Sequence, residues 1–317
     1  MNKKLEAFRA AGLRAAEFQL RRQQPDGSFI WEGFVKDAYH KQAYSWAVAG
    51  HLAAAHRLLT WVKRNTQLPD GQLRGYGGDV YKQAWFFQGA HRLGRFDLSY
   101  PTMRFLLSCE APCGGYPHFA GDPWTRSLAT AWVGVGAVYL GRLDVAERVA
   151  ECCVRMLEQQ PDPQRFYYRT TLDGQLATPD IDPEALYIDL TALNQPYWEV
   201  ALPWMLMGRL YQATGEKRYL DLAERFFEVK LRCAEDAFAN VGSGKSGLAA
   251  AIHYLNTGDE RARDAAYRFG EFLLETQVPE GGWRGETEPD ILLIYLDHAA
   301  EYNIWLQEIV AILNSLE

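Results

Sequence analysis

Acidic, basic and aromatic side chains recur where three long connecting segments give way to apolar runs. These residues are Asp37, Tyr39, His40, Asp79, Tyr81, Lys82, Trp124 and Arg126. A carboxylate or an imidazole can transfer a proton near neutral pH when its surroundings shift its pKa, and an arginine can pair with an anionic oxygen. An aspartate at the start of a helix also caps that helix, so Asp37 and Asp79 have a structural interpretation as well.

A second set of polar residues lies inside otherwise apolar segments, namely Glu199 and the adjacent pair Asp297 and His298. Burying a carboxylate without a partner is costly, so each acid either faces a cavity or belongs to an ion pair, for example with Arg126 or Lys245. We predict that the acids face a central cavity and supply the acid and base of a proton transfer.

Together these patterns predict two sets of functional residues. The predicted catalytic residues are Asp37, His40, Asp79, Tyr81, Glu199, Asp297 and His298. The predicted substrate-binding residues are Tyr39, Lys82, Trp85, His118, Trp124, Arg126, Tyr197, Trp198, Lys245 and Trp283.

Helices must position these side chains, because apolar residues recur with a 3.6-residue period almost everywhere and alternating strand patterns are nearly absent. The pattern predicts twelve helices at 4–22, 38–49, 51–66, 79–93, 96–108, 124–140, 142–159, 197–213, 217–233, 244–257, 259–277 and 290–313. Glycine turns, as at Gly141 and Gly215, close the short connections, which alternate with long ones. A parallel sheet is excluded.

The helices also alternate in composition. Those that follow a long loop, such as 127–140, are apolar on all sides and suit an inner ring, whereas those that precede one, such as 144–159, are amphipathic and suit an outer ring. Six hairpins of this kind predict an all-α (α/α)6 barrel, or toroid, forming a single domain over 1–317. Functional side chains are expected on the face that carries the long loops.

Composition and net charge exclude several classes of binding partner. The chain has 317 residues, 48% of them hydrophobic and 23% charged, which is typical of a globular protein. A net charge of -7 argues against nucleic acid or an anionic membrane as a partner. No apolar stretch suits a signal peptide or a membrane span, so we expect a cytoplasmic protein that acts on a small molecule; the oligomeric state is not indicated.

The cysteines and one glycine-rich segment give no evidence of a bound group. The five cysteines include the adjacent Cys152 and Cys153, which favours reduced thiols over a disulfide framework. Cys109 and Cys113 lack the further ligands that a zinc site needs, so we predict no metal and no cofactor. The segment 239–246 fits a relaxed phosphate-binding-loop pattern but follows a helix instead of a strand, which indicates a chance match.

A recurrent string ends four of the outer helices. Its clearest copy runs from Phe272 to Trp283 and contains Gln277 and Gly281; variants lie at 18–29, 61–73 and 105–116. The string resembles the QW repeat of the squalene-hopene cyclase and protein prenyltransferase superfamily, whose α/α toroids carry Gln at the end of an outer helix, then a Gly turn and an aromatic residue. The resemblance implies a toroid scaffold in which the aromatic position is a packing residue. Physically, Gly permits a positive φ and the Gln amide can satisfy backbone groups left unpaired at the turn.

Three functions compete. The preferred prediction is a metal-independent acid/base enzyme, a terpene-cyclase-like cyclase, isomerase or lyase whose aromatic cavity takes an isoprenoid or other hydrophobic natural product. The acidic motif of those cyclases is represented only by Asp180, Asp182 and Glu184, which neighbouring prolines place in a loop. The alternative is a carbohydrate-active (α/α)6 enzyme, either a glycoside or uronyl hydrolase, a lyase or an epimerase, with a saccharide substrate. The third function is a non-catalytic binding toroid, in which every acid is capped or paired.

Overall fold

The computed structural model describes residues 2–29, 36–284 and 292–316. Within them the α-helices are α1 (Lys3–Leu20), α2 (Gln42–Val48), α3 (Leu52–Asn65), α4 (Val80–Arg92), α5 (Phe96–Ser108), α6 (Ser127–Tyr139), α7 (Leu143–Glu158), α8 (Trp198–Thr214), α9 (Lys217–Leu231), α10 (Gly244–Thr257), α11 (Glu260–Thr276) and α12 (Leu292–Asn314). The strands are β1 (Trp124–Arg126), β2 (Arg165–Tyr167), β3 (Arg169–Thr171) and β4 (Tyr187–Asp189). Each predicted helix is present, which confirms the all-α fold class.

The chain forms two compact units. Unit 1 comprises Met1–Gly78, Lys82–Phe105 and Gly270–Glu317, and unit 2 comprises Asp79–Tyr81 and Leu106–Phe269. In unit 1, α12 packs against α1 and α2, and α2 packs against α3; in unit 2, α6 packs against α7 and α8, and α8 packs against α9 and α10. Consecutive helices joined by short turns therefore pack as hairpins. None of the helices in the described residues is long and apolar enough to span a bilayer.

The alternation in composition corresponds to an alternation in burial. In α6 every residue from Ser127 to Ala137 is buried, whereas α7 buries one face and exposes charged residues on the other. A Cβ atom at Gly134 of α6 would lie 2.7 Å from Val149 Cγ1 and 2.9 Å from a methyl of Leu206, so glycine is what lets α6 approach both neighbours.

Two departures from the predicted helices lie in the long loops. Residues 124–126 were predicted to begin a helix but form β1, which pairs antiparallel with β3 so that Thr125 lies opposite Thr170. In the same way β2 pairs antiparallel with β4. Strands of three residues are too short to show alternation, and only their Thr, Tyr, Phe and Ile content favours extended backbone. The expectation of a chain with almost no strands is confirmed, although the positions of these two ribbons were not predicted.

The helix predicted at 38–49 is shorter in the structure, where it spans Gln42–Val48. A 3-10 turn covers Lys36–Ala38, and α2 begins only at Gln42, after Lys41, whose side chain makes no capping hydrogen bond. Asp37 lies in that turn, so it does not cap α2 as the structural interpretation required. Asp79 immediately precedes α4, and its side chain is buried.

The glutamine of the recurrent string binds backbone groups at the turn. In unit 1, Gln277 Nε2 donates to the carbonyl of Gly281 at 3.0 Å and to that of Ala11 in α1 at 2.9 Å. Gln23 and Gln67 make corresponding bonds to carbonyls of α3 and α5 at 3.0 Å. The string therefore has a structural role, because its glutamine fixes each turn to the next outer helix.

Replacing the glycine of this turn tests that packing. Gly71 has φ +94°, and an added Cβ would lie 1.9 Å from the backbone oxygen of Pro101, whereas Gly94 has φ +68° with no atom within 4 Å of its Cβ position. We expect Gly94→Ala to cost about 1–2 kcal/mol, the cost of a left-handed alanine. Gly71→Ala adds a clash with rigid backbone, so its cost is larger by at least about 1–3 kcal/mol. Urea unfolding measures both, and equal losses would contradict the packing.

Candidate active site

Six of the predicted site residues lie in two clusters, one in each unit, together with neighbours that the sequence did not single out. In unit 2 the Arg126 cluster consists of Asp79, His118, Arg126, Tyr168 and Glu199. In unit 1 the Asp297 cluster consists of His40, Lys41, Asp297 and Glu301.

The carboxylate of Glu199 is the most heavily bonded group of the Arg126 cluster. Arg126 lies at the end of β1 and directly precedes α6, while Glu199 occupies the first turn of α8. The guanidinium approaches Glu199 Oε1 at 2.7 Å through both Nε and Nη2. Glu199 Oε2 accepts from Ser127 Oγ at 2.6 Å and from the backbone N–H of Leu128 at 2.9 Å. The acid of one inner helix thus caps the N-terminus of the neighbouring inner helix.

Burial and the charge of Glu199 shift the pKa of Arg126 in opposite directions. The Glu199 side chain is fully buried, and that of Arg126 is 23% exposed. Burial lowers the pKa of Arg126, but the charge and hydrogen bonds of Glu199 outweigh it, so the pKa lies above its usual value. Arg126 therefore stays charged, and part of its side chain remains accessible to a bound molecule.

His118 lies on the loop between α5 and β1, half-buried beside the ion pair. Its backbone oxygen accepts from the N–H of Val80 at 2.9 Å, which holds the loop against the start of α4. Burial lowers the pKa of His118 below its usual range; the charge of Arg126 lowers it further, and the charges of Asp79 and Glu199 oppose this. The buried Nδ1 atom makes no hydrogen bond with any of the described residues. A neutral imidazole of this kind can serve as a general base.

Aromatic side chains surround the ion pair. The Tyr168 ring centroid lies 5.4 Å from the guanidinium carbon of Arg126, and burial followed by the charge of Glu199 raises the pKa of Tyr168. Tyr81 is nearly buried and close enough to Arg126 to affect its pKa. The half-buried Trp198 donates from Nε1 to Glu199 Oε1 at 3.1 Å. These hydroxyls and rings give the cluster both proton donors and flat apolar surfaces.

Two further predicted residues lie near these aromatic groups. Lys245 lies 6.0 Å from the ring centroid of Trp198. The Trp124 ring lies 5.5 Å from the guanidinium of Arg169, which pairs with Asp182. Asp182 thus belongs to a structural ion pair in a turn.

In unit 1, the Asp297 cluster is centred on a buried ammonium. Lys41 Nζ, 4% exposed, lies 2.7 Å from Asp297 Oδ2 and 2.6 Å from Glu301 Oε2. His40 Nε2 lies 3.3 Å from Asp297 Oδ1. Trp305 donates to Glu301, and only Asp297 retains substantial exposure, with 23% of its side chain accessible. One buried ammonium thus pairs with two carboxylates, and the buried imidazole of His40 lies beside the more exposed of them, Asp297.

Several other predicted residues have structural partners. Asp37 pairs with Lys82, and the hydroxyl of Tyr39 accepts from the N–H of Phe29 at 3.1 Å. Trp283 is buried and donates from Nε1 to the carbonyl of Leu273 at 2.9 Å, which is a packing position.

The remaining predicted residues also contact neighbouring side chains. Trp85 is fully buried, with its ring centroid 5.4 Å from Lys41 Nζ. His298 stacks on Tyr302, with 5.3 Å between the ring centroids. The hydroxyl of Tyr197 binds Asp236.

One group of side chains has the composition of a metal site. Glu224, His253 and Asp259 lie close together in unit 2. Arg261 binds both acids there, and Trp204 Nε1 donates to His253 Nδ1 at 3.2 Å. Because these partners already satisfy the ligand atoms, the arrangement is typical of an ion-pair network.

Sequence reasoning missed Ser127, Tyr168, Lys41 and Glu301. Ser127 and Tyr168 carry no motif, and Tyr168 lies in a 39-residue connection between α7 and α8 that has no periodic signal. Glu301 could have been found, because it lies four residues after the predicted Asp297 on the same helix, and Lys41 because it directly follows the predicted His40.

Comparison with solved structures shows the fold. Among similar structures are an α-1,6-mannanase from Salegentibacter sp. HEL1_6 (12% identity, TM-score 0.70, covering 96% of this chain and 99% of that one) and a D-mannose isomerase (15% identity, TM-score 0.67, covering 96% and 97%). A sugar epimerase from a ruminal bacterium is also similar (13% identity, TM-score 0.67, covering 94% and 95%). Comparison of the sequence with protein families and with curated proteins finds no match.

These similarities extend over nearly the whole chain and establish the (α/α)6 fold. The predicted toroid is therefore confirmed, while its assignment to the terpene cyclase superfamily is not. The similar structures are carbohydrate-active enzymes, so the preferred prediction of a cyclase-like enzyme for a hydrophobic substrate is wrong, and the saccharide alternative agrees better with the findings. The repeated Gln–Gly–aromatic string misled the prediction because it reports the packing of hairpins and not a reaction.

Proposed function

We propose that this protein is a carbohydrate-active enzyme that moves a proton at the carbon next to a sugar carbonyl, as an aldose–ketose isomerase or an epimerase. The observation that carries the proposal is the half-buried His118, whose Nδ1 makes no hydrogen bond with the described residues, near the partly exposed Arg126 of the Arg126–Glu199 ion pair. Two of the three similar structures described above, a D-mannose isomerase and a sugar epimerase, belong to this class of reaction.

In the proposed reaction His118 takes the proton from C2 of an open-chain aldose. The electron pair moves into a C1–C2 double bond, and the carbonyl oxygen becomes an enediolate oxygen that the Arg126 guanidinium stabilises. Return of the proton to C1, with transfer of the C2 hydroxyl proton to O1, gives a ketose. Delivery of a proton to the opposite face of C2, by a second group on that side, gives the epimer. The Tyr168 hydroxyl, whose raised pKa keeps it protonated, would donate a hydrogen bond to a sugar oxygen.

Hydrolysis of a glycosidic bond fits the cluster less well. That reaction uses two carboxyl groups that flank the bond, at least one of them open to the substrate. Glu199 is fully buried and engaged by four donor groups, and Asp79 is 1% exposed. A variant of the similar mannanase with two adjacent aspartates replaced is described as inactive, and this chain contains no two adjacent aspartates.

The charge of the cluster favours a neutral sugar over a uronate. Both guanidiniums near the site are already paired, Arg126 with Glu199 and Arg169 with Asp182. Asp79 adds a further acidic side chain close to His118. The carboxylates of Asp79 and Glu199 would repel a substrate carboxylate, whereas hydroxyl groups and apolar sugar faces suit the paired groups and the aromatic rings.

A substrate panel tests the proposal. The purified protein is incubated with neutral aldohexoses, α-1,6-mannotriose and an unsaturated glucuronyl disaccharide, and the products are separated by chromatography. We expect ketose or epimer from a neutral aldose and no change in the other two. Cleavage of the mannotriose or of the glucuronyl disaccharide, with all aldoses unchanged, would contradict it.

The lowered pKa of His118 predicts how kcat/KM and the stability of the fold depend on pH. Because the pKa of His118 is lowered from 6.5, its base form persists below that pH, and kcat/KM is expected to fall only when acidification passes the lowered value. The same protonation destabilises the fold, since the stability from a neutral His118 is present above about pH 6.5 and is lost as pH falls through the folded-state pKa. A pH–rate profile with its acidic limb centred above 6.5 would contradict the assignment of the base.

A further inference from the structure

Two thiols that are far apart in sequence meet at the loop that carries His118. Cys113 lies between α5 and β1, and Cys152 lies in α7; their Sγ atoms are 3.8 Å apart. Both residues are buried, but Cys113 retains 8% exposure against 1% for Cys152, so Cys113 is the more accessible of the two thiols. A disulfide requires an S–S distance of about 2.05 Å, so an approach of roughly 2 Å would join them.

The surroundings of Cys113 make it the reactive partner. Its pKa is lowered, first because Cys152 donates a hydrogen bond to it, and also because the N–H of Gly115 and the charge of Arg155 stabilise the thiolate, while burial opposes this. Arg155 is held in place by a hydrogen bond to the carbonyl of Cys113. These directions favour Cys113 as the thiolate of the pair and Cys152 as the thiol that donates to it.

The neighbouring Cys153 has none of these features. It is 1% exposed, and burial raises its pKa to about 12. It therefore provides a matched control within the same helix.

We propose that Cys113 and Cys152 form a reversible disulfide when the protein meets a peroxide. The Cys113 thiolate attacks one peroxide oxygen, the O–O bond breaks, and the second oxygen leaves as water after taking up a proton, which gives a sulfenic acid. Cys152 then attacks the sulfenic sulfur, the S–O bond breaks, and a second water leaves as the S–S bond forms. Both sulfurs are oxidised by one electron each, and the peroxide is reduced by two.

The disulfide would act on the Arg126 cluster through the strand next to it. The thiol of Cys113 lies 3.9 Å from the carbonyl oxygen of Thr171 in β3, and β3 pairs with β1, which ends at Arg126. His118 follows Cys113 on the same loop. Movement of Cys113 toward α7 would therefore shift both the proposed base and the strand that positions the guanidinium.

Thiol counting and mass spectrometry test the disulfide without any substrate. The wild-type protein is treated with hydrogen peroxide under native conditions and then analysed before and after a thiol reductant. We expect the loss of two of the five thiols, a mass decrease of two hydrogen atoms, a cross-linked peptide containing Cys113 and Cys152, and full reversal by the reductant. Retention of all thiols, or a cross-link between other cysteines, would overturn the proposal.

Three variants assign the roles. In Cys152→Ser the reaction is expected to stop at a sulfenic acid on Cys113, trapped as a dimedone adduct, whereas Cys113→Ser is expected to give neither adduct nor disulfide. Cys153→Ser is expected to form the disulfide as the wild type does, and its failure to do so while folded by circular dichroism would overturn the proposal. The effect on turnover rests on the proposed function, so a disulfide without a sugar activity would refute that function alone.

Discussion

Replacing His118 by asparagine is expected to lower kcat/KM for the aldose by about 10²–10⁴-fold, the usual contribution of a positioned general base. Asparagine keeps the size and polarity of the side chain but cannot accept a proton near neutral pH. The backbone carbonyl that binds the N–H of Val80 is unchanged, so the loop should stay in place. Initial rates and thermal unfolding, measured on the same preparation, separate loss of the base from loss of the fold.

The matched control is His56→Asn, which changes an exposed histidine on α3 in the same way. It is expected to leave kcat/KM unchanged, because surface substitutions remote from the site have small effects. Equal rates for wild type and His118→Asn would remove His118 from the mechanism.

The second large effect concerns stability. Glu199→Gln is expected to lower the free energy of unfolding by about 3 kcal/mol, near the lower end of the range for breaking a buried ion pair because Arg126 keeps some contact with water. The amide presents N–H groups where the carboxylate accepted from Ser127 Oγ and the N–H of Leu128, so the cap on α6 is lost as well. Urea unfolding measures the change.

Glu216→Gln serves as the control for this measurement. Glu216 forms an ion pair with Arg218 in which both side chains are about half exposed, at 47% and 51%. Such a pair contributes at most about 1 kcal/mol, so the loss should be much smaller. Similar losses in the two variants would show that the Arg126–Glu199 pair does not have the structural role assigned to it.

The helices could be predicted because a buried helix face needs apolar residues at regular spacing over many residues. A helix that is apolar on all sides, such as α6, and an amphipathic helix, such as α7, therefore have different sequence patterns. The two short ribbons could not be predicted, since three residues do not establish a period and β1 pairs with β3, more than forty residues away. The turn at Lys36–Ala38 was missed for a related reason, because its polar residues fit a helix start equally well.

The site was predicted only in part. Glu199 could be singled out because a carboxylate in an apolar helix needs a partner, and one of the two partners suggested for it, Arg126, is the one observed. Its role as the cap of a different helix could not be foreseen, since that depends on how α6 and α8 pack. Tyr168 lies in an irregular loop where no pattern distinguishes it from its neighbours.

The choice of reaction could not be drawn from the repeated string. Gln277 and its counterparts fix turns to outer helices, a demand that any ring of helical hairpins must meet whatever chemistry it supports. The residues that could distinguish one reaction from another are few and non-periodic, such as His118 and Arg126. Their chemistry depends on burial and on neighbours that only the folded chain brings together.

Incorporation of deuterium from solvent tests the central claim most directly. The wild-type protein and His118→Asn are incubated with D-mannose and other neutral aldohexoses in D2O, and the C2 proton is followed by NMR. We predict that the wild type replaces that proton by deuterium in at least one aldose as product forms, because the proton on His118 exchanges with solvent, and that the variant does so at least about 10²-fold more slowly. Full retention of the C2 proton in every aldose, or equal exchange by the two proteins, would contradict the account.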